Sequence, residues 1–332
     1  MSITSKMYKA LFDELNSNNY AEKNSIYRKY TCQCGEGILY SVSVGKKVRE
    51  LSIPISTRSM KFPELKGIEL SLVNLPEYSS SNQVYLQLRQ KEDAESYIYE
   101  ILVEDIRSYL SNVQNSKDFS SSTQKILKKW KEFFSSNKDI ILSESKAQGL
   151  YGELLFLKEL IEHKSPGVVD SWVGVSNATH DFYVGQNAFE IKTTSTQEPY
   201  EAHINNAYQL DNNDVNGKLY MRFYAFRRDS IGGRKLPELI SIIRKQLKND
   251  IFCLETFNRK IEQAGYIDAA SPYYITGYTL REVYTFEVEE DFPKIHRNLI
   301  PKGVTNLKYN LSISNCLDFA IDDKDISIII KG

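Results

Sequence analysis

Residues 181–194, DFYVGQNAFEIKTT, decide how this chain is read. Two short runs, DFYV and AFEIK, flank Gly185-Gln186-Asn187, so the segment reads as a β-hairpin with glycine available for a positive φ. Residues i and i+2 of a strand share a face. Glu190 and Lys192 therefore point one way, and Phe189 and Ile191 the other, where Phe182 and Val184 can pack with them. A two-residue turn at Gly185-Gln186 sets Asp181 directly opposite Glu190, with Cβ atoms roughly 5 Å apart. A three-residue turn leaves the two acids diagonal.

Upstream, GLYGELLFLKEL (149–160) reads as part of a long helix. Leu150, Leu154, Leu157 and Ile161 form its apolar stripe. At ~100° per residue Glu153 lies about 60° from the centre of that stripe, at the edge of the buried face. Gly149 and Gly152 are mid-helix, where each costs about 1 kcal/mol relative to Ala, so close approach of a strand is expected there. Taken alone, Glu153 is a boundary residue able to pair with Lys158. The hairpin downstream turns it into a candidate third acid.

Two carboxylates and a backbone carbonyl suit a hard cation such as Mg²⁺, which keeps waters for its substrate. A neighbouring lysine adds positive charge where a phosphate gains negative charge during attack, and can orient or deprotonate the attacking water. A bare Glu-x-Lys occurs by chance in most proteins, so weight rests on the order and spacing of all four residues.

The rest of the chain bounds this reading. Its 332 residues suffice for about two domains. Hydrophobic residues are 41% and charged residues 26%, the profile of a soluble globular protein. A formal net charge of −1 restricts any nucleic-acid contact to a local patch. The 22 Tyr and 15 Phe fit sheet packing better than base stacking. The N-terminus, MSITSKMYKALFDELNSNN, lacks an apolar signal core, and no stretch is long enough to span a bilayer, so no membrane contact and a cytoplasmic location are expected. Cys32 and Cys34 form an isolated C-x-C, Cys253 and Cys316 stand alone, and the histidines are scattered; this argues against structural zinc and for reduced thiols.

Along the chain, residues 1–30 read as helical. Strands are expected in GILYSVSV, VRELSIPI, GIELSLV and VYLQLRQ, then a helix across DAESYIYEILVEDIRSYL and a linker at SNVQNSKDFSSS. SSTQKILKKWKEFF and the long Glu153 segment read as helices. The period then falls to two through VVDSWVG, THDFYVG, NAFEIKTT and KLYMRFYAFRR. LPELISIIRKQLKND reads as a helix with Pro237 in its first turn, and YTLREVYTFEV and NLKYNLSIS as strands. The expected domains are 1–120, an N-terminal α+β domain for recognition or partner contacts; 121–265, the catalytic core; and 266–332, a strand-rich C-terminal extension packed on the core.

Residues 221–248 carry eight basic side chains against Asp229 and Glu238. Of these Arg227, Arg228 and Arg234, beside Ile231-Gly232-Gly233, are candidate phosphate contacts. A solvated helix face explains Lys245 and Lys248. The lysines of 125–131 also read as solvated. His203, Asn206 and Gln209 follow the hairpin and are candidate substrate contacts or polar surface.

The order helix-Glu, Asp, E-x-K resembles the PD-(D/E)XK nuclease superfamily. GLYGELLFLKEL, W-V-G, HDFYVG, E-I-K-T-T, AHINNAYQL and YTFEVEEDFPKI together are similar to a prokaryotic family of that superfamily, whose members tend to lie in restriction–modification or phage-defence gene clusters. The resemblance covers most of the chain past residue 145. It implies an α+β, α/β fold with a restriction-endonuclease-like core, a mixed sheet flanked by helices. It implies that Asp181 and Glu190 ligate metal, that Ile191 lends its carbonyl, that Lys192 is the catalytic lysine and that Glu153 is the helix acid some branches use as a further ligand. His180 stands where the superfamily pattern has proline. The implied activity is Mg²⁺-dependent DNA endonuclease, with Mn²⁺ substituting, acting on double-stranded DNA in a restriction or defence system beside methyltransferase or ATPase partners. A homodimer would supply the two centres that duplex cutting needs. The rival expectation is a non-catalytic DNA-binding or assembly subunit that retains the fold; RNA or branched DNA are further substrates the fold tolerates.

Overall fold

The computed structural model describes the chain except residues 1, 19, 21, 57–62, 66, 77, 79–82, 137–138, 177, 230 and 332. The chain divides into two compact units, Met1–Ile140 with Ile267–Pro272, and Ile141–Tyr266 with Tyr273–Gly332.

The first unit holds α1 (Ile3–Ser17), β1 (Ser25–Thr31), β2 (Gly37–Ser43), β3 (Arg49–Ile55), β4 (Ile68–Asn74), β5 (Val84–Gln90), α2 (Ser96–Ser111) and α3 (Phe119–Ser136). Its sheet is antiparallel in the order β1-β2-β3-β5-β4. Tyrosines tie helices to it: Tyr8 of α1 donates to the Glu50 carbonyl at 2.8 Å, and Tyr99 of α2 to the Leu88 carbonyl at 2.7 Å. The expectation that residues 1–30 are helical gives way to a helix ending at Ser17 and an edge strand, β1. Arg28 and Lys29 on that edge obscure its strand pattern. SNVQNSKDFSSS is not a domain boundary, because Phe119 within it is buried and α3 packs on α2, with the Trp130 indole donating to Asp105 at 3.0 Å. Residues 121–140, assigned to the core from sequence, thus fall in the first unit.

The second unit is built on a five-stranded sheet, in order β10 (Arg234–Lys235), β11 (Gly277–Glu287), β9 (Leu219–Asp229), β7 (Asn187–Thr194), β6 (Phe182–Val184). Only β7 and β9 run parallel, so the sheet is mixed. Long helix α4 (Glu144–His163) lies on one face with α5 (Leu236–Leu247) beside it. Phe156 of α4 packs on Phe182 and Phe189, ring centroids 5.1 and 4.9 Å away. The opposite face carries an apolar cluster: Ala188, Met221, Phe223 and Ala225 pack with Ala202 and Ile204 of β8 (Glu201–Ile204) and Leu311 of β12 (Tyr309–Ser312). The fold is the expected mixed sheet flanked by helices. Among the described residues no helix is long and apolar enough to cross a membrane.

Three details differ from the sequence expectation. VVDSW, read as strand, is a 3₁₀ turn (Pro166–Ser171) leading into Trp172, because Pro166 and Gly167 open it and only Trp172 bridges to Phe182. A helix, α6 (Ile251–Gln263), follows α5 where none was assigned. The region 266–332 is less strand-rich than expected, ending in α7 (Asp323–Lys331), and its long strand β11 is an inner strand of the main sheet.

Of the two mid-helix glycines only Gly152 has a packing reason. A Cβ there would stand 2.3 Å from the Thr193 methyl, whereas nothing lies within 4 Å of one at Gly149. Gly152→Ala is expected to destabilise by about 1–3 kcal/mol through overpacking, and Gly149→Ala to be neutral or stabilising by up to about 1 kcal/mol. Urea unfolding of both variants checks this, and equal effects would contradict the packing.

Candidate active site

Hairpin geometry brings the sequence candidates together. Phe182 pairs with Phe189 and Val184 with Asn187, leaving Gly185, at φ 64°, and Gln186 as a two-residue turn. Continued by one position, that register sets Asp181 against Glu190. The Asp181 side chain accepts a hydrogen bond at Oδ2 from the Ile191 N–H at 2.8 Å. N–H and C=O of one strand residue point to the same side, so the Ile191 carbonyl faces that edge too. The Asp181 carbonyl accepts from Val173 and Gly174 N–H groups at 2.9 and 3.0 Å. Gly174 is required here, since a Cβ would come within 2.7 Å of Asp181 Oδ1.

Strand alternation puts Glu190 and Lys192 on the same face, and the Lys192 ammonium lies 2.8 Å from Glu190 Oε1. It also donates to Gln209 Oε1 at 2.8 Å, and that oxygen accepts the Asn205 N–H at 2.8 Å. From α4, Glu153 accepts a 2.7 Å hydrogen bond at Oε2 from the Trp172 indole. Trp172 is fixed in turn by buried Lys260 of α6, whose ammonium donates to the carbonyls of Val169, Asp170 and Trp172.

Glu190 and Lys192 are buried, and Glu153 and Asp181 half-buried. Three acids against one lysine in little water disfavour full ionisation. Burial, then Asp181, push the Glu190 carboxyl up to about 8, against the pull of Lys192. Burial and then Asp181 likewise hold Glu153 well above the ordinary carboxylate range, with the Trp172 bond opposing. Burial raises Asp181 as well, against the Ile191 N–H, Lys192 and His180.

This donor chemistry fits a divalent cation. Each acid has one oxygen anchored by the protein, and Glu153 Oε1, Asp181 Oδ1 and Glu190 Oε2 have no hydrogen bond among the described residues. Such hard, mutually repelling oxygens suit Mg²⁺ or Mn²⁺. Among the described residues no three of His, Cys, Asp and Glu stand in ready-made ligating geometry.

The other candidates separate. Gln209 is the partner of Lys192. His203 sits on β8, hydrogen-bonded to Asn310 of β12 at 2.8 Å. Arg228 is exposed, and its guanidinium donates to Gln148 at 2.8 and 3.0 Å and pairs with exposed Glu144 at 3.0 Å. It shares the α4 side of β9 with buried Arg222, which pairs with Glu159 at 2.9 Å. Arg227 and Arg234 are exposed. Sequence reasoning missed Trp172 and Lys260 as supports of Glu153: a strand reading of VVDSW gave Trp172 no reason to meet α4, and Lys260 lies in the unassigned helix.

Residues 8–314 match the family DUF4420, described as "Putative PD-(D/E)XK family member". No curated protein and no solved structure matches the chain.

A raised carboxyl pKa stabilises the fold below its unfolded value, and that stability is lost as pH climbs to the folded value. Between pH 5 and 8 in EDTA, unfolding free energy should therefore fall by on the order of 1–3 kcal/mol through this cluster. Glu190→Gln should flatten that slope in denaturant titrations; an unchanged slope would contradict the placement of the acids.

Proposed function

The chain belongs to the DUF4420 family of PD-(D/E)XK proteins, and from that premise we propose that it is a metal-dependent endonuclease hydrolysing DNA phosphodiesters. The observation that carries this reading is the Lys192–Glu190 contact at 2.8 Å on a hairpin whose register sets Asp181 opposite Glu190. A lysine paired to one acid and facing another is the arrangement that phosphoryl chemistry needs, with cation and ammonium on either side of an attacking water.

The roles follow from the anchors. Asp181, Glu190 and Glu153 offer their unanchored oxygens, and Ile191 its carbonyl, to Mg²⁺, for which Mn²⁺ substitutes. When bound, such an ion supplies Lewis acidity and a lowered pKa for water. Lys192, steered by Glu190 and Gln209, orients the attacking water and meets the charge that grows on the phosphate. Trp172 and Lys260 keep Glu153 in place. Exposed Arg227 and Arg234 contact backbone phosphates, while Arg228 is held by Gln148 and Glu144 of α4. The first unit supplies target recognition or partner contacts. A prokaryotic restriction or defence setting, cytoplasmic and with methyltransferase or ATPase partners, is what the family resemblance supports, and a homodimer would provide a centre for each strand.

Purified protein with Mg²⁺ should cleave duplex DNA, and Asp181→Ala should abolish cleavage by at least about 10³-fold while leaving DNA binding in place. Cleavage by that variant at the parent rate would sink the site assignment. Binding without cleavage by the parent protein, across duplex, branched and RNA substrates, would favour a non-catalytic binding subunit.

Arg227→Ala and Arg234→Ala should each weaken binding alike across DNA sequences and reduce the slope of log K against log salt by about 1. Binding curves at several salt concentrations give the slope, and an unaltered slope would remove these arginines from the interface.

A further inference from the structure

His180 occupies the position before Asp181, where the superfamily pattern has proline. The residue is 1% exposed, and neither ring nitrogen has a hydrogen-bond partner. A buried imidazole lacking both bonds is unusual, because buried polar groups are almost always satisfied. Its surroundings are polar on both sides. Nδ1 faces Glu190 Oε2 at 3.9 Å, and Nε2 faces Asp214 Oδ1 at 3.4 Å. Tyr183 closes over the ring edge-on, centroids 5.8 Å apart.

These distances have a chemical meaning. Metal–nitrogen and metal–oxygen bonds of about 2.1 Å each place two ligands of one ion about 3 Å apart at a right angle and about 4.2 Å apart on opposite sides. The 3.9 Å between Nδ1 and Glu190 Oε2 is too long for a hydrogen bond and lies between those two spans. Glu190 Oε2 is also the oxygen not taken by Lys192, which sits on Oε1. Beyond the ring, a carboxylate waits at the second nitrogen, the arrangement that fixes most metal-bound histidines.

We propose that His180 is a nitrogen ligand of the cation at this site, joining Glu190 and Asp181, with Asp214 orienting the ring from behind. This rests on the metal-dependent reading of the site given above and extends it to the choice of ion. One imidazole among carboxylates shifts preference from Mg²⁺ toward a borderline transition ion such as Mn²⁺. Asp214 is a positioning residue, acting through His180.

Pulsed electron paramagnetic resonance of the full-length protein loaded with Mn²⁺ tests this without any variant. The expected result is a nitrogen coupling to the bound ion that changes when histidine is supplied as ¹⁵N-histidine. His180→Gln should remove the coupling and weaken Mn²⁺ binding about 10- to 100-fold by calorimetry, with a smaller loss for Mg²⁺, and Asp214→Asn should weaken Mn²⁺ about tenfold. Mn²⁺ bound in a manner abolished by Asp181→Ala but with no histidine coupling would overturn the His180 ligand and leave the nuclease reading standing. A coupling that survives in His180→Gln would also overturn it. Mn²⁺ binding indifferent to Asp181→Ala, or no binding, would overturn both.

Discussion

Helix α4 packs at Gly152 directly onto the Thr193 side chain of β7, and the candidate site depends on that closeness. A methyl at this point would collide with Thr193, one residue past Lys192 on the strand that carries Glu190. Because the helix comes this close to the strand, the next residue along α4, Glu153, reaches the Trp172 indole, and burial, then Asp181 and Glu190, raise its pKa. Phe156, one turn further, packs on both hairpin strands and prevents the helix from sliding. A single glycine contact thereby couples the helix acid to the hairpin acids.

The consequence is electrostatic. Burying three carboxylates beside one ammonium is unfavourable without a further positive charge. The fold meets part of this cost with fixed donors: the Ile191 N–H on Asp181, Trp172 on Glu153, Lys192 on Glu190. Each donor satisfies one oxygen of its acid. Gln209, held by the Asn205 N–H, keeps the lysine from collapsing wholly onto its acid. Raised carboxyl pKa values are the residue of this arrangement, as expected where a functional site works against stability.

How much of this was legible in the chain depends on the range of the interactions. The shared face of Glu190 and Lys192 follows from strand alternation, and the Asp181–Glu190 register from a two-residue turn that glycine permits. Gly152 signalled a close approach, although Gly149, identical by that argument, has open space around it. The supports of the site come from distant chain: Lys260 reaches Trp172, and Gln209 reaches Lys192. Local pattern carries no information about such partners. Arg228 shows the same limit of range: its charge marks a patch in the sequence, and only the structure shows that this exposed side chain also bonds to Glu144 and Gln148 of α4. The unit boundary was displaced because SNVQNSKDFSSS is polar as a string, yet its Phe119 is buried and starts a helix that packs on α2.

The central claim is that the acids of this hairpin share a cation. Crystals soaked in Mn²⁺ and measured at the manganese absorption edge test it most directly. A shared cation gives an anomalous peak between Asp181 and Glu190, within reach of the Ile191 carbonyl. A peak elsewhere, or none at saturating Mn²⁺, would contradict it.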